Sequence, residues 1–560
     1  MENYSYHVLQ TLQKDQDRTL MIVDNDAITR GAFHSRVSQV AHLLREAGLR
    51  PGDRVLLAVS PSLDMFTVIV AIFALGGTII LIDPTMGLER FNYCVGKANP
   101  VMCVWMKGTK MKWLKYIFPS IKAIPKLLEI DYSSSLLTNY NDLIMPENVI
   151  NTEHALITFT TGSTGMPKLL LRKHEFLLFQ SKCISKMYDK YMKEIIKLDE
   201  EECGGLTNLA VFPLHFLKVG GTGGLFSRFT TCDPADVIQT LTKYKMNFLG
   251  GSLHFLHRVA KYASENGISH LPVQLALVGG STIYRGPLRT ISSVIKDSNV
   301  LIAYGSTEAE PISVISVKEK QLLEADGPDA LCVGKPFVED SVRVIPVQDD
   351  SKVFSDPVDI DSLRSDCGEI GELLISGWHV NTNEVEAKRL ITDINGRVWL
   401  RIEDAGYVDK DGYIWLVGRA KWRVVDTKNG KTYWSAIVEQ KILDRTSKIT
   451  FVAYLNHKGR AYLFIEAPDG LPLKEKEALD SFIKLEGVPV DELVIKPHIA
   501  KDRRHASKPN TAVLFAEGNQ KLKDALTLVK FVIISNPLVI LLLLLIQLFM
   551  VFVAFYLFTA

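Results

Sequence analysis

Short apolar runs separated by turn-forming residues recur along most of the chain. The run at residues 55–59 follows a glycine–proline turn and has the length of a strand. A longer apolar segment at 65–82, which a pair of glycines divides, predicts a core helix that leads into a buried strand. Further strand-like runs lie at 275–278 and 300–303. Because strand and helix signals alternate through residues 1–150, the pattern predicts an α/β fold.

The last part of the chain has a different pattern. No charged residue follows Lys530, and residues 538–558 are almost wholly Leu, Ile, Val, Phe and Met. About 20 apolar residues span a bilayer, whereas a core helix of this length normally carries a polar stripe. Lysines at 521, 523 and 530 favour the cytosolic side for the rest of the chain. We therefore expect a membrane partner, a single C-terminal span, and the endoplasmic reticulum as the membrane.

Lysines and aromatic residues interleave between residues 104 and 126. Basic amphipathic stretches of this kind lie on membrane surfaces in some proteins, and an anchor would hold this one close to the bilayer. A solvated basic surface loop fits the same pattern equally well. The sequence leaves both interpretations open.

Composition and charge restrict the functional classes. The 560 residues are too many for one hydrophobic core and predict two or more domains. Lysine and arginine number 64 against 63 aspartates and glutamates, so the totals give no support to a nucleic-acid partner. The seven cysteines are scattered without a CxxC pair, which fits a reducing compartment better than a disulfide scaffold or a zinc site. The amino terminus lacks the apolar core of a signal peptide.

The segment 160–168, Thr-Thr-Gly-Ser-Thr-Gly-Met-Pro-Lys, is the strongest candidate for ligand chemistry and follows a strand-like run at 155–159. Gly162 and Gly165 allow a tight turn and a close approach of the backbone to a ligand. Hydroxyls and free backbone N–H groups provide donors suited to phosphate oxygens, with Lys168 as a positive charge at the edge. The hydroxyls belong to Thr160, Thr161, Ser163 and Thr164. A surface turn rich in turn-forming residues is the alternative.

Two later strand-like runs end in small and polar residues. These residues are Gly279, Gly280 and Ser281 after the first run, and Tyr304, Gly305, Ser306, Thr307 and Glu308 after the second. Ligands bind open α/β sheets at the carboxyl ends of parallel strands. Tyr304 can stack on a purine, and Gly305 leaves room for it. Glu308 supplies the hard oxygen that magnesium prefers beside phosphate oxygens.

Four segments resemble signatures of the adenylate-forming superfamily, which contains acyl-CoA synthetases, luciferases and the adenylation domains of peptide synthetases. They are residues 160–168, 304–308, 368–377 (GEIGELLISG) and 399–419 (WLRIEDAGYVDKDGYIWLVGR). The segments occur in the order that the superfamily shows, and the resemblance covers residues 15–517. Within the last segment, the Asp-Lys-Asp-Gly turn at 409–412 predicts a hairpin of two strands. The matches at 160–168 and 304–308 imply that both segments bind ATP.

The resemblance also implies roles for residues outside these two segments. Asp404 falls where the superfamily keeps an aspartate that binds both ribose hydroxyls, a task suited to a carboxylate. Lys508, in Asp-Arg-Arg-His-Ala-Ser-Lys, aligns with a catalytic lysine that a closing domain delivers to the reacting groups. His215 stands near the implied acyl pocket, although a packed core histidine fits equally well. The glycine-rich segment at 220–224 that follows it predicts a turn. The candidate catalytic residues are Lys168, His215, Glu308 and Lys508, and Arg419 joins the nucleotide-binding residues.

The implied fold class is α/β with three parts. A large N-terminal AMP-binding domain, made of two α/β subdomains and a β-rich part, takes residues 1–417. A small mobile α+β domain takes residues 418–518, and the membrane anchor takes residues 519–560.

The resemblance implies an ATP- and magnesium-dependent ligase. It would activate a small-molecule lipid acid, expected to be a long-chain fatty acid, as an acyl-adenylate and pass the acyl group to an acceptor, most simply coenzyme A as co-substrate. Residues 82–87 and 502–508 resemble the olefin β-lactone synthetases more closely, so closure onto the acid's own hydroxyl is an alternative. A membrane-bound nucleotide- or lipid-binding protein without catalysis is a third interpretation, because Leu169, Glu403 and Ser507 stand where the superfamily has glycines.

Overall fold

The computed structural model describes residues 2–83, 86–108, 116, 118–132, 140, 142–160, 166–207, 211–228, 231–296, 299–325, 327, 329–383, 385–501 and 508–515. The α-helices in these ranges, numbered in chain order, are α1 (Tyr4–Leu12), α2 (Arg30–Glu46), α3 (Leu63–Ala74), α4 (Leu88–Ala98), α5 (Pro119–Lys122), α6 (His174–Met187), α7 (Lys193–Ile196), α8 (Val211–Val219), α9 (Pro234–Lys243), α10 (Leu253–Glu265), α11 (Arg285–Ser292), α12 (Val317–Ala325), α13 (Ser435–Leu443), α14 (Leu473–Glu486) and α15 (Thr511–Leu514). Within these ranges no helix is both long and apolar enough to cross a bilayer. The predicted span at 538–558 lies outside the described residues.

The strands are β1 (Thr19–Val23), β2 (Asp26–Thr29), β3 (Arg54–Leu57), β4 (Thr78–Ile80), β5 (Met102–Met106), β6 (Lys126–Ile130), β7 (His154–Thr160), β8 (Lys168–Lys173), β9 (Gly204–Thr207), β10 (Thr222–Leu225), β11 (Phe248–Ser252), β12 (Leu275–Gly279), β13 (Val300–Ser306), β14 (Ala309–Ser316), β15 (Leu331–Pro336), β16 (Val342–Ile345), β17 (Gly371–Ile375), β18 (Leu390–Thr392), β19 (Val398–Val408), β20 (Ile414–Arg419), β21 (Val424–Val425), β22 (Thr432–Tyr433), β23 (Phe451–His457), β24 (Arg460–Glu466) and β25 (Glu492–Lys496). The described chain forms two compact units.

The first unit contains the described parts of Met1–Asp17 and Arg30–Glu175. Its six-stranded sheet has the order β6-β5-β3-β4-β7-β8. Neighbouring strands are parallel except β7 and β8, which are antiparallel. Phe91, Phe118 and Ile157 are buried in the core on one side of this sheet. The α/β pattern predicted for the first 150 residues is therefore confirmed.

The apolar segment at 65–82 forms α3 followed by β4, as predicted. The Ser62 side chain accepts a hydrogen bond from the backbone N–H of Met65 and so caps the start of the helix. All residues from Phe66 to Ala74 are buried, so this part of the helix is covered on every face. Gly76, with φ of +73°, takes the left-handed conformation that ends the helix.

The second unit contains Arg18–Thr29 and Phe176–Leu514. Its largest sheet has 14 strands, in the order β16-β17-β19-β20-β15-β14-β13-β12-β11-β9-β10-β1-β2, with β18 beside β19. The strands from β1 to β13 along this path are mutually parallel. Every residue of β12 is buried, as expected for a parallel strand that is covered on both faces.

Strands β12 and β13 pair in parallel, with Gly279 beside Ala303. The two strand-like runs predicted at 275–278 and 300–303 are confirmed, and β13 continues to Ser306. The residues that follow both strands therefore lie at one edge of the sheet, the edge at which α/β sheets bind ligands.

The segment 399–419 forms the hairpin predicted for its Asp-Lys-Asp-Gly turn. Strands β19 and β20 are antiparallel, with Val408 opposite Ile414 and Asp404 opposite Arg419. The Asp409 carboxylate accepts the backbone N–H groups of residues 411 and 413 and so fixes the turn.

Residues 424–496 form a core of their own within the second unit. It is built from α13, α14, the short β21–β22 pair and the sheet β23-β24-β25. Val438, Ile442, Tyr454, Leu463 and Phe482 are buried there. The boundary predicted between residues 417 and 418 stays a prediction.

The glycine-rich segment at 220–224 differs from its prediction as a turn. Gly220, with φ of +93°, ends α8, but Thr222–Leu225 form strand β10, which pairs with β9 on one side and β1 on the other. A Cβ atom at Gly224 would lie 2.8 Å from Cδ1 of Leu206, and one at Gly223 would lie 3.2 Å from Cβ of Phe216. The glycines therefore serve close packing between the strand and its neighbours.

Part of the lysine- and aromatic-rich stretch at 104–126 is core. Trp105 is buried in β5, and its indole N–H donates to Oε1 of Glu129 at 3.0 Å. This tryptophan is not part of a membrane-facing surface. Residues 109–115 and 117 lie outside the described residues, so the interpretation of the remainder stays open.

Candidate active site

The predicted phosphate loop connects β7 and β8. Thr160, the last residue of β7, pairs with Lys168, the first residue of β8. The loop residues that the sequence singles out, Thr161, Gly162, Ser163, Thr164 and Gly165, lie outside the described residues. The two strands bring both ends of the loop to the end of the first unit's sheet, and the predicted role of Lys168 stays a prediction.

In the second unit, Tyr304, Asp404 and Arg419 form one hydrogen-bonded group. The Tyr304 hydroxyl donates to Oδ2 of Asp404 at 2.7 Å, and Nε of Arg419 lies 3.0 Å from Oδ1 of the same carboxylate. Nη1 of Arg419 also donates to the carbonyl oxygen of Ile402 at 3.0 Å. The structure thus brings together three residues that the sequence assigns to nucleotide binding.

The charges in this group stabilise one another. Burial and the adjacent Asp404 carboxylate raise the pKa of Tyr304 well above its usual value, so the phenol stays a donor. The same carboxylate raises the pKa of the Arg419 guanidinium. A carboxylate has about four acceptor positions, so Asp404 keeps capacity for two ribose hydroxyls beside its two present partners.

The small residues at the ends of β12 and β13 have two different roles in the structure. The Ser281 hydroxyl oxygen is buried and has no hydrogen-bond partner among the described residues, which suits a group that a ligand completes. A Cβ atom at Gly305 would lie 2.8 Å from the carbonyl oxygen of Ala309, and one at Gly279 would lie 3.1 Å from that of Ala303. Close packing therefore explains Gly279 and Gly305 without a ligand, and the expectation that Gly305 makes room for a purine stays untested.

Glu308, the predicted magnesium ligand, is buried and paired with a cation of the chain. Nη1 of Arg389 lies 2.7 Å from Oε1 of Glu308. Burial acts to raise the pKa of Glu308, but Arg389 outweighs it and holds the pKa below its ordinary value. The charged carboxylate is the hard oxygen donor that magnesium uses beside phosphates. The Glu308 carboxylate can therefore bind magnesium when Arg389 no longer pairs with it.

His215, in α8, is buried and held at both ring nitrogens. Nδ1 lies 2.9 Å from Oγ of Ser181, and Nε2 lies 2.9 Å from Oε1 of Glu200. The other oxygen of Glu200 accepts from Oγ of Ser185 at 2.8 Å. Burial acts to raise the pKa of Glu200, but the contact with His215 outweighs it and lowers that pKa. The imidazole therefore has a fixed orientation and an anionic partner.

The surroundings of His215 are apolar. Side chains of α6, α8 and β11 pack around it together with those of a π-helical turn, Tyr188–Met192. They include Ile184, Tyr188, Met192, Phe212, Phe216 and Phe248. The cavity between them has about 20 Å³, enough for a water-sized group.

Lys508 is exposed, and the residues just before it, 502–507, lie outside the described residues. Ser306 and Thr307 follow Tyr304 at the end of β13, where Oγ of Ser306 accepts the backbone N–H of Ala309. The sequence-based roles of Lys508, Ser306 and Thr307 stay predictions.

Three residues of these contacts have no motif that would have revealed them. Ser181, Glu200 and Arg389 are ordinary polar residues in their segments, and each is joined to its partner only by the fold. Glu403 is different, because its departure from the superfamily's glycine is visible in the sequence. Its φ of +65° shows that the backbone keeps the conformation that glycine favours.

Comparison with known proteins identifies the family of this chain. An olefin β-lactone synthetase of Stenotrophomonas maltophilia is 23% identical over 427 residues, 71% of this chain and 73% of that protein. An acyl-CoA ligase of Ajellomyces capsulatus is 21% identical over 444 residues, 74% of this chain and 71% of that protein.

A solved structure of the O-succinylbenzoate coenzyme A synthetase of Bacillus subtilis, in complex with ATP and a magnesium ion, has the same fold. Its TM-score is 0.68 at 17% identity, and the match covers 90% of this chain and 98% of that one. The profile of the AMP-binding enzyme family matches residues 9–382, well over half of the chain. The chain therefore belongs to the AMP-binding enzyme family and is an ATP-dependent, adenylate-forming ligase.

Proposed function

We propose that this ligase activates a lipid carboxylic acid, most simply a long-chain fatty acid, and passes the acyl group to the thiol of coenzyme A. The observation that carries the lipid substrate is the environment of His215, whose imidazole is held in place inside a cluster of aliphatic and aromatic side chains. Such walls favour an apolar acyl group, with His215 and Glu200 as the polar residues beside it.

In the proposed reaction a carboxylate oxygen of the acid attacks the α-phosphorus of ATP. The bond from that phosphorus to the bridging oxygen breaks, and pyrophosphate leaves. Tyr304, Asp404 and Arg419 hold the nucleoside, the 160–168 loop and Lys168 hold the phosphates, and Lys508 stabilises the developing charge. Glu308 would hold magnesium, which would neutralise phosphate charge. Holding both reactants in line supplies much of the rate.

The proposed location is the cytosolic face of a membrane, with the endoplasmic reticulum as the expected one. Support comes from the apolar residues 538–558 and the lysines that precede them. A lipid acid partitions into the bilayer, so an anchor places the enzyme beside its substrate.

A second candidate is formation of a β-lactone. The likeness to an olefin β-lactone synthetase over 71% of the chain favours it. In this reaction the β-hydroxyl oxygen of the acyl-adenylate attacks the carbonyl carbon, the hydroxyl proton passes to a base, and AMP leaves. No coenzyme A is consumed.

The two acceptors are separated by product analysis. The full chain in detergent is given ATP, magnesium and matched pairs of fatty and β-hydroxy acids, with and without coenzyme A. Thioester that forms only with coenzyme A supports the first candidate, and product from β-hydroxy acids without it supports the lactone. Absence of ATP–pyrophosphate exchange with every acid would contradict both.

The role of Lys508 is tested in the same assay. Lys508→Ala should abolish ATP–pyrophosphate exchange and leave ATP binding nearly unchanged, because the lysine acts on the transition state. Lys496→Ala, at an exposed position of β25, is the matched control and should keep full exchange. Normal exchange in Lys508→Ala would remove this lysine from the mechanism.

A further inference from the structure

Arg389 is paired with the Glu308 carboxylate, the group that the proposed reaction assigns to magnesium. It ends a short 3-10 helix, Ala387–Arg389, immediately before β18. Nη1 of Arg389 lies 2.7 Å from Oε1 of Glu308, and both side chains are largely buried, at 13% and 10% exposure. A buried carboxylate without a partner is costly, so this pair stabilises Glu308 in the ligand-free protein.

The other guanidinium nitrogens of Arg389 make weaker contacts. Nε donates to the carbonyl oxygen of Arg401 at 3.2 Å and lies 4.0 Å from Oε1 of Glu403. The Glu403 side chain is 29% exposed, so this second carboxylate is partly solvated. Nη2 makes no hydrogen bond within the described residues. Since a guanidinium has five N–H donors in a planar fork, Arg389 retains donors that match a phosphate.

We propose that Arg389 and magnesium are alternative partners of Glu308, and that the guanidinium released by the metal becomes a ligand of the ATP phosphates. A divalent cation and a guanidinium repel each other, so both cannot occupy the same carboxylate oxygen. When Glu308 coordinates magnesium, Arg389 loses its anionic partner. The ATP phosphates then supply the negative charge that pairs with the guanidinium. The proposal rests on the proposed ATP-dependent function.

The test measures ATP binding to the full chain in detergent by calorimetry, across a magnesium titration and in EDTA, without any acid. In Arg389→Gln the competitor of magnesium is gone, so the magnesium concentration at half-maximal effect should fall about tenfold. At saturating magnesium the ATP affinity should fall about tenfold, because one charge-assisted contact to phosphate is lost, whereas in EDTA, where Arg389 stays paired with Glu308, it should change little.

Three further variants make the result specific. Arg389→Lys keeps the charge without the fork and should give an intermediate magnesium requirement, and it serves if Arg389→Gln does not fold. Lys388→Gln, the neighbouring cation, is the matched control and should change neither quantity. In a Glu308→Gln background, Arg389→Gln should no longer alter the magnesium requirement.

An unchanged magnesium requirement in both Arg389 variants would overturn the proposal. So would a wild-type protein that binds no ATP, with or without magnesium. A protein that binds ATP with the expected magnesium shift but exchanges pyrophosphate with none of the acids would uphold this inference and contradict the lipid-acid proposal instead.

Discussion

The Tyr304 hydroxyl donates a hydrogen bond to the Asp404 carboxylate at 2.7 Å, across 100 positions of sequence. The bond joins the end of a parallel strand to an antiparallel hairpin and aligns an aromatic ring with a carboxylate. Arg419 completes the group from the paired strand. The ring suits a base and the carboxylate suits a ribose, so the pair has the chemistry of a nucleoside site.

The ring and the hydroxyl of Tyr304 should have separable effects. Tyr304→Phe removes the bond to Asp404 and should lower the free energy of unfolding by about 1–3 kcal/mol, with AMP binding largely kept because the ring remains. Tyr304→Ala removes the stacking surface and should weaken AMP binding by about 1–3 kcal/mol. Thermal unfolding and calorimetry with AMP measure the two quantities.

The matched control for Tyr304→Phe is Tyr407→Phe. Tyr407 stacks on Trp415 and is buried, but its hydroxyl makes no hydrogen bond within the described residues. This variant should keep both stability and AMP binding. Wild-type AMP affinity in Tyr304→Ala would exclude the ring from the nucleotide site.

Replacing Glu403 with glycine should stabilise the protein. The left-handed conformation costs an L-residue ~1–2 kcal/mol, and the chain entropy of glycine offsets only part of the gain, so Glu403→Gly should raise the free energy of unfolding by about 1 kcal/mol. Glu403→Ala keeps Cβ and should give no such gain. If Glu403→Gly lowers the melting temperature, the contact with Arg389 contributes more than the strain costs.

Glu439 should make stability depend on pH. Burial raises its pKa from an ordinary 4.5 to about 8, while the Tyr284 hydroxyl and the backbone N–H of Tyr454 donate to it. The folded state therefore holds a proton that the unfolded state releases. The stabilisation is complete below about pH 4.5 and is lost as pH rises through about 8, by up to ~1.4 kcal/mol per pH unit.

The measurement is thermal unfolding between pH 5 and pH 9. Glu439→Gln keeps the hydrogen-bonding shape without a titrating proton, so its melting temperature should fall less with rising pH than that of the wild type. Glu477→Gln, at an exposed position of α14, should retain the wild-type slope. Identical slopes in wild type and Glu439→Gln would show that Glu439 is charged throughout.

Substitution of Glu200 should weaken binding of the acid and leave binding of the nucleotide unchanged. Glu200→Gln removes the anionic partner of His215 and loosens the imidazole in its apolar surroundings. We expect the KM for the acid to rise about tenfold, the effect of one charge-assisted hydrogen bond, with the KM for ATP unchanged. The neighbouring and more exposed Glu201→Gln is the control. A rise in the KM for ATP alone would place His215 away from the acyl group.

The sequence predicts well the elements that local patterns encode. Runs of apolar residues give β12 and β13, and the turn residues at 409–412 give the β19–β20 hairpin. Motif order also indicates that Tyr304 and Asp404 belong to one site. The glycines at 220–224 were wrongly predicted as a turn, because a glycine required for close packing resembles a glycine required for a turn.

Contacts that depend on packing alone cannot be predicted in this way. Arg389 meets Glu308 across 81 positions, and Ser181 meets His215 across 34, with no motif at either arginine or serine. Arg389 lies in the short 3-10 helix before β18 and Ser181 lies in α6, so both contacts depend on how these elements pack. The chemistry of these sites therefore becomes visible only with the fold.

The central claim is that a carboxylate oxygen of a lipid acid becomes bonded to the α-phosphorus of ATP. A fatty acid labelled with ¹⁸O in its carboxylate, turned over with ATP, magnesium and the acceptor, tests it directly by mass spectrometry of the AMP released. Because acyl transfer breaks the bond between the carbonyl carbon and that oxygen, we predict that AMP carries one ¹⁸O atom. Unlabelled AMP, or label in inorganic phosphate with ADP as product, would contradict the account.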